Sequence, residues 1–178
     1  NKNIKIHLAN SAGMLINKDF HFHMVRVGLS MYGYSPLEQT DKHISLKPAL
    51  FLKVKVAFIR IIDQGVSVSY GGKFVSSRKT KLAVLSIGYA DGVPRNLSGK
   101  IKVIFKNKLY PQVGSITMDQ MMVDITGSSE IKVGSTIVLL GSDGDKTISP
   151  LEWARKSHTI PWEILCSFKN RLPRVQVD

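Results

Sequence analysis

Residues 4–13 and 24–32 decide the fold class; they read Ile-Lys-Ile-His-Leu-Ala-Asn-Ser-Ala-Gly and Met-Val-Arg-Val-Gly-Leu-Ser-Met-Tyr. In the first stretch, alternation up to Ala9 stops at Asn10, which predicts a strand running into a loop. The second stretch is apolar except for Arg26, as is typical of a buried parallel strand whose arginine has a specific partner. Two such strands leave edges and a face uncovered, so they need earlier strands of a barrel or the rest of the chain.

From about Leu46 onward the sequence pattern is different: it predicts longer strands of antiparallel type, which are separated by turn signals such as Asp91-Gly92. This spacing predicts a β-barrel or sandwich with strands at 50–62, 82–88, 100–105, 121–125 and 136–140. A helix with a capping box begins at Ser149-Pro150-Leu151-Glu152. A second helix is predicted from Pro161, and a last strand at 174–177.

The composition of the chain limits the classes of protein to which it can belong. The 178 residues are 43% hydrophobic, which is enough for a packed core. No apolar run approaches the roughly 20 residues of a membrane span, and residues 1–5 show no apolar signal core, so we expect a cytoplasmic protein. The single Cys166 permits no internal disulfide, and its apolar neighbours predict a reduced core cysteine without a role.

The net charge of +12 raises the alternative of a basic β-barrel module that binds nucleic acid. Only residues 78–81 form a basic run, and the other lysines are spread over alternating strands, which favours a solvated surface. Such a module would also need surface aromatics for base stacking. We expect Phe51, Phe58, Phe105 and Tyr110 to lie mostly in apolar contexts instead.

A set of short blocks, in order along more than half of the chain, resembles the C-terminal half of a pyridoxal phosphate (PLP)-dependent alanine racemase. The blocks are residues 7–13, 26–33, 68–71 (Val-Ser-Tyr-Gly), 88–92 (Gly-Tyr-Ala-Asp-Gly) and 114–120, which includes Met-Asp-Gln.

The resemblance implies an α/β plus β fold: the last strands of a (β/α)8, TIM-type barrel, followed by a β-rich C-terminal domain. Residues 1–45 would form strands 7 and 8 of an incomplete PLP-binding barrel, and 46–178 the C-terminal domain. No segment resembles the strand that carries the cofactor lysine in the family. We therefore expect a fragment or split-gene product that is inactive when isolated.

The resemblance assigns PLP-binding roles to Ser11, Arg26, Gly28 and Leu29. Ser11 and the backbone N–H groups of Gly28 and Leu29 would bind the phosphate, and Arg26 the pyridine nitrogen. The residues alone also allow simpler interpretations: Ser11 as a helix cap and Arg26 as one half of a structural ion pair. Trp162 occupies the position of a phosphate-binding tyrosine, and its indole N–H can donate one hydrogen bond.

Tyr70 matches the tyrosine that exchanges the proton on one face of the substrate Cα, opposite the cofactor lysine. The sequence alone favours a simpler interpretation of Tyr70, a tyrosine packed on a sheet edge. Met118, through its backbone N–H, and Asp119 match positions that hold the substrate carboxylate.

The residues that match the entrance corridor of the family's site are Tyr89 and Arg95, whereas Asp91 shapes its own turn. This chain departs from the pattern at Ser115, where the family often has arginine, and at Thr117, where it often has cysteine. These departures predict a less positive corridor.

The resemblance implies interconversion of L- and D-alanine by two-base proton transfer, for the supply of D-alanine to cell-wall peptide. It also implies a homodimer with shared active sites, in which Tyr70 and Met118 of one subunit serve the barrel of the other. We expect no metal, nucleic acid or membrane partner. Serine as the substrate, and an inactive remnant of a split racemase, are the alternatives within this family.

Overall fold

The computed structural model describes residues 4–37 and 45–177. The chain divides into two compact units, one up to Leu50 and the other from Phe51 onward. Among the helices of the described residues, none is long and apolar enough to span a bilayer.

The first unit is built around two parallel strands, β1 (His7–Asn10) and β2 (Met24–Arg26). Helix α1 (Ser11–Ile16) follows β1, with 3-10 turns at Lys18–Phe20 and Leu29–Tyr32. The predicted parallel pairing is confirmed. The predicted burial of the second strand is wrong: Met24 is 44% exposed and Arg26 is exposed, because β1 flanks one edge and neither face of β2 is fully covered within this unit.

The second unit is a seven-stranded antiparallel sheet. Its strands are β3 (Leu52–Ile62), β6 (Thr80–Leu85), β7 (Lys102–Phe105), β8 (Lys108–Val113), β9 (Met121–Asp124), β10 (Thr136–Asp143) and β11 (Lys146–Ile148). They lie in the order β11-β10-β3-β6-β9-β8-β7. β7 ends this order on one side, and an additional pairing with β10, the neighbour of β11, places Val138 opposite Ile104 and closes the sheet. Of the two architectures predicted for this region, a barrel or a sandwich, the structure shows the barrel, and closure removes most of the edge exposure of an open sheet. A separate hairpin pairs β4 (Ser67–Val68) with β5 (Phe74–Val75).

Both predicted helices form, as α2 (Pro150–Ser157) and α3 (Pro161–Ser167). The hydroxyl of Ser149 accepts a hydrogen bond from the N–H of Glu152, as an N-cap does. The reciprocal half of the predicted capping box is replaced, because the Glu152 carboxylate pairs with Lys156. Trp153 of α2 is fully buried and packs edge-on against Phe168.

Two further sequence expectations are wrong. Residues 174–177 form no strand, since alternation alone does not provide a neighbouring strand with which to pair. Cys166 is exposed rather than buried. On α3 the buried side chains are Ile164 and Leu165, and at about 100° per residue Cys166 points away from Ile164.

The aromatic residues of the basic strands differ from expectation as well. Phe51 is 46% and Phe58 57% exposed, whereas Phe105 and Tyr110 are half-buried. The Nζ atom of Lys53 lies 5.7 Å from the centroid of the Phe51 ring. The apolar contexts predicted for Phe51 and Phe58 are therefore wrong, and these two residues do not argue against nucleic-acid binding.

Candidate active site

In the first unit, the carboxyl ends of the parallel strands bring the predicted phosphate-binding groups together. The hydroxyl oxygen of Ser11 accepts hydrogen bonds from the N–H groups of Gly28, at 2.9 Å, and Ser30, at 3.4 Å. Ser11 is the first residue of α1, but the side chain that caps α1 is that of Asn10. The alternative that Ser11 is a helix cap is therefore not what the structure shows.

A residue that the sequence analysis missed lies beside this cluster. The hydroxyl of Ser30 is buried and has no hydrogen-bond partner among the described residues. Buried polar atoms are nearly always paired in proteins, so this one is notable. A short polar side chain directly after Gly28-Leu29 was the available signal.

The guanidinium of Arg26 contacts His7 rather than a carboxylate. Its Nη1 atom lies 2.6 Å from Nδ1 of His7 on the neighbouring strand. A guanidinium can only donate, so Nδ1 is the acceptor and the proton of a neutral ring lies on Nε2. The specific partner predicted for Arg26 is thus His7, which the sequence analysis did not assign, although it lies in the first quoted stretch.

In the second unit, Tyr70 begins a 3-10 turn, Tyr70–Gly72, between β4 and β5. Tyr70 is 74% exposed, so the interpretation as a tyrosine packed on a sheet edge is wrong. The preceding Ser69 has φ 65°, a backbone conformation that side chains rarely adopt. The surrounding contacts hold this turn in a strained conformation, as is common at functional sites.

These contacts come from the segment of residues 114–120, which we call the hub segment. The Ser69 hydroxyl donates to the carbonyl of Ser115 at 2.7 Å, and the Ser115 hydroxyl donates to the carbonyl of Tyr70 at 2.8 Å. Gly114 has φ 70°, and a Cβ there would lie 2.8 Å from the carbonyl oxygen of Val68. Ser115 therefore anchors the Tyr70 turn at a position where the family often has arginine.

The hub segment also holds the turn of Tyr89. The N–H groups of Tyr89 and Ala90 donate to the carbonyls of Thr117 and Met118, each at 3.0 Å. A Cβ on Gly88 would lie 2.2 Å from the first of these oxygens and 2.3 Å from the second, so only glycine allows this approach. The main chain around Met118 is thus fixed by its carbonyl, and its N–H donates no hydrogen bond to a residue within 51–177.

Asp91 shapes its own turn, as predicted: its Oδ2 atom accepts a hydrogen bond from the N–H of Gly88 at 2.9 Å. Its other oxygen lies 3.3 Å from Nε of Arg171, a residue that the sequence analysis did not single out. Nη2 of Arg171 lies 2.6 Å from Oδ1 of Asp119. The hydrogen bond to Asp119 and the charge of Asp91 raise the pKa of Arg171 above its ordinary value.

Two further predicted residues lie around the hub segment. Arg95 is exposed on a 3-10 turn, and its carbonyl accepts from Ser98, whose hydroxyl oxygen in turn accepts from the N–H of Ile116. Tyr89 lines a cavity of about 400 Å³ together with Glu163, Cys166 and Lys169. Trp162 is 38% exposed on α3, and its indole makes no hydrogen bond with the described residues. It does not join the hub segment.

Comparison with known families and structures gives one answer for both units. The family model described as "Alanine racemase, C-terminal domain" matches residues 49–176, and "Alanine racemase, N-terminal domain" matches residues 1–36. The alanine racemase of Prochlorococcus marinus is 56% identical over 96% of this chain and 44% of its own length. That of Synechocystis is 49% identical over 97% of this chain and 46% of its own length.

Solved structures agree with the sequence comparisons. Alanine racemase from Bacillus anthracis with bound L-Ala-P superposes with a TM-score of 0.86, at 37% identity, over 93% of this chain and 42% of that one. Alanine racemase from Bartonella henselae with covalently bound pyridoxal phosphate also gives 0.86, at 35% identity, over 98% and 47%. The chain spans about half the length of the relatives it matches, and it belongs to the alanine racemase family.

Proposed function

We propose that the complete protein is a PLP-dependent enzyme that interconverts L-alanine and D-alanine, and that it works in the cytoplasm as a homodimer. In this proposal, residues 1–45 end a PLP-binding (β/α)8 barrel and residues 46–178 form the C-terminal domain. D-alanine for cell-wall peptide would be the product used by the cell. The observation that carries the proposal is the hub segment, which ties the exposed Tyr70 turn and the main chain of Met118 into one framework.

The polar groups of the first unit fit PLP. Ser11 already accepts from two N–H groups, so its hydroxyl proton is available to a phosphate oxygen. The Ser30 hydroxyl, which finds no partner in the described part of the chain, lies on the adjacent turn. Arg26 has N–H groups beyond the one directed at His7, and one of these would donate to the pyridine nitrogen. Bound PLP would withdraw electrons from the substrate Cα, which weakens its C–H bond.

Tyr70 would act as acid and base on one face of the substrate Cα. On a rigid, solvent-exposed turn, the phenolate form of Tyr70 can accept the Cα proton and become a phenol, and the phenol can return a proton without movement of the backbone, which is the geometry that proton transfer needs. The N–H of Met118 would donate to the substrate carboxylate. Asp119 carries a carboxylate of its own, so its contribution to an anionic substrate must come from its N–H and from the position of the segment.

A shared site in the dimer can be tested by mixing two inactive variants. Tyr70→Phe and Arg26→Glu are each expected to lower racemisation by at least about 100-fold, because each removes a group that the reaction uses. If Tyr70 serves the partner's barrel, a mixed dimer has one intact site, and random mixing restores about a quarter of wild-type activity. Deuterium incorporation at Cα from both alanine enantiomers is the measurement, with Tyr110→Phe on β8 as the matched control.

No recovery on mixing would show that both residues serve the same subunit. Unchanged deuterium incorporation in Tyr70→Phe would remove the catalytic assignment itself. The same assay with L-serine decides between the two substrates, and rates for serine equal to those for alanine would contradict the proposed preference. The comparisons give no support to the nucleic-acid alternative, despite the exposed Phe51 and Phe58.

A further inference from the structure

Arg171 connects two carboxylates that belong to different parts of the second unit. Its Nε atom is 3.3 Å from Asp91, and its Nη2 atom is 2.6 Å from Asp119. Asp119 lies in the hub segment, and Asp91 lies in the turn of Tyr89. A single planar guanidinium therefore bridges these two segments, in the forked geometry for which arginine is suited.

The two carboxylates differ in what they need from Arg171. Asp91 is buried, with 8% of its side chain exposed, and a buried charge requires a partner. Asp119 has 57% of its side chain exposed, so water solvates its charge and it needs no partner for that purpose. Its negative charge lies next to Met118, where the proposed function places the substrate carboxylate, and like charges repel.

We propose that Arg171 is a positioning residue for substrate binding: it offsets the negative charge of Asp119 and holds the N–H groups of Met118 and Asp119 in place for the substrate carboxylate. This inference rests on the proposed function, because it takes Met118 as the carboxylate-binding residue. With Arg171 present, Asp91, Asp119 and Arg171 together carry one negative charge. Without it they carry two, close to an anionic substrate.

This role predicts an effect on KM rather than on kcat. Arg171 touches no reacting atom, and the carboxylate is held equally in the ground state and the transition state, so its loss weakens uniform binding. In the complete enzyme, Arg171→Gln is expected to raise KM for L-alanine about tenfold and to change kcat less than about threefold. Arg171→Lys keeps the charge but not the fork, so its KM should lie between those of wild type and Arg171→Gln.

The double variant Arg171→Gln/Asp119→Asn separates charge compensation from a purely structural role. It restores the net charge of the cluster and keeps both N–H groups, so most of the lost affinity should return. The matched control is Arg174→Gln, which removes the same charge from the same segment, whereas Arg174 donates to the carbonyl of Phe168 and pairs with no carboxylate in the described residues. Its KM should stay within about twofold of wild type.

Amide hydrogen exchange of residues 114–120 gives a readout that does not depend on activity. Arg171→Gln should speed exchange of this segment at least about threefold, and Arg174→Gln should not.

An unchanged KM and unchanged exchange in Arg171→Gln would overturn the role of Arg171, as would a raised KM that the double variant does not lower. A wild-type enzyme that does not interconvert alanine would instead overturn the proposed function, and the exchange measurement would still test whether Arg171 positions the segment. If Arg171→Gln does not fold, Arg171→Lys carries the same comparisons.

Discussion

The two units hold their candidate site residues in different ways. In the first unit, Ile4, Ile6 and Leu8 are 65%, 51% and 60% exposed, although the faces of parallel strands are usually buried. In the second unit, the corresponding apolar side chains form a closed core that includes Leu85, Ile104 and Trp153, each fully buried. The hub segment thus stands on a packed barrel, whereas Ser11 and Arg26 depend on a few polar contacts within their own unit.

This difference predicts unequal local stability in the 178-residue chain. Core amides of the second unit should exchange only through global unfolding, which in domains of this kind costs about 5–15 kcal/mol. Amides of β1 and β2 should exchange at least about a thousand-fold faster, because little apolar surface protects them. Hydrogen exchange of residues 7–26 and 82–85, followed by mass spectrometry, makes the comparison. Equal protection in both stretches would remove the distinction between the two units.

The sequence predicts the fold well where hydrophobic pattern and turn chemistry agree, and less well elsewhere. Alternation of apolar and polar residues predicts strand β3, and a capping signal at Ser149-Pro150 predicts the start of α2. Strand β8 was missed because its lysine and Pro111 weaken the pattern, although the turn at Lys106-Asn107 predicts a hairpin. The burial of Cys166 was mispredicted because apolar neighbours do not say which side of a short helix faces the core.

Prediction of the candidate site residues from the sequence has the same limit. Ser11 and Gly28 lie in short blocks that carry their own signal, and the structure brings them within hydrogen-bond distance. Arg171 has no such signal, because its partner Asp119 is 52 residues away in sequence and the contact depends on how the hub segment crosses the turn of Tyr89. Contacts between distant segments are set by the fold, and a single sequence does not specify them locally.

A substitution at Gly88 tests how rigidly the packed barrel holds the hub segment. Gly88→Ala places a Cβ 2.2 Å from the carbonyl oxygen of Thr117, so the segment must shift, and we expect a loss of about 3 kcal/mol in the free energy of unfolding. Gly127→Ala is the control: Gly127 has φ 85°, and among residues 4–37 and 45–177 no other atom would lie within 4 Å of the added Cβ. Only the backbone conformation contributes, at about 1 kcal/mol. Urea unfolding measures both variants. Equal losses of unfolding free energy in the two variants would mean that the hub segment shifts to accept the added Cβ without further destabilisation.

The smallest expected effect compares the N-caps of two helices, one in each unit. Ser149 caps α2, which carries the buried Trp153, so Ser149→Ala should lower the free energy of unfolding of the second unit by about 1 kcal/mol. The Oδ1 atom of Asn10 caps α1 by accepting from the N–H of Gly13 at 3.0 Å, which is an equally good cap. Asn10→Ala should nevertheless leave the urea midpoint of that same transition unchanged, because α1 lies outside the barrel core and its loss is local.

The measurement is tryptophan fluorescence, since both tryptophans of the chain, Trp153 and Trp162, lie in the second unit. A midpoint shift in Asn10→Ala as large as that in Ser149→Ala would show that the two units unfold as one, and the contrast drawn from their exposed and buried side chains would then not extend to their stability.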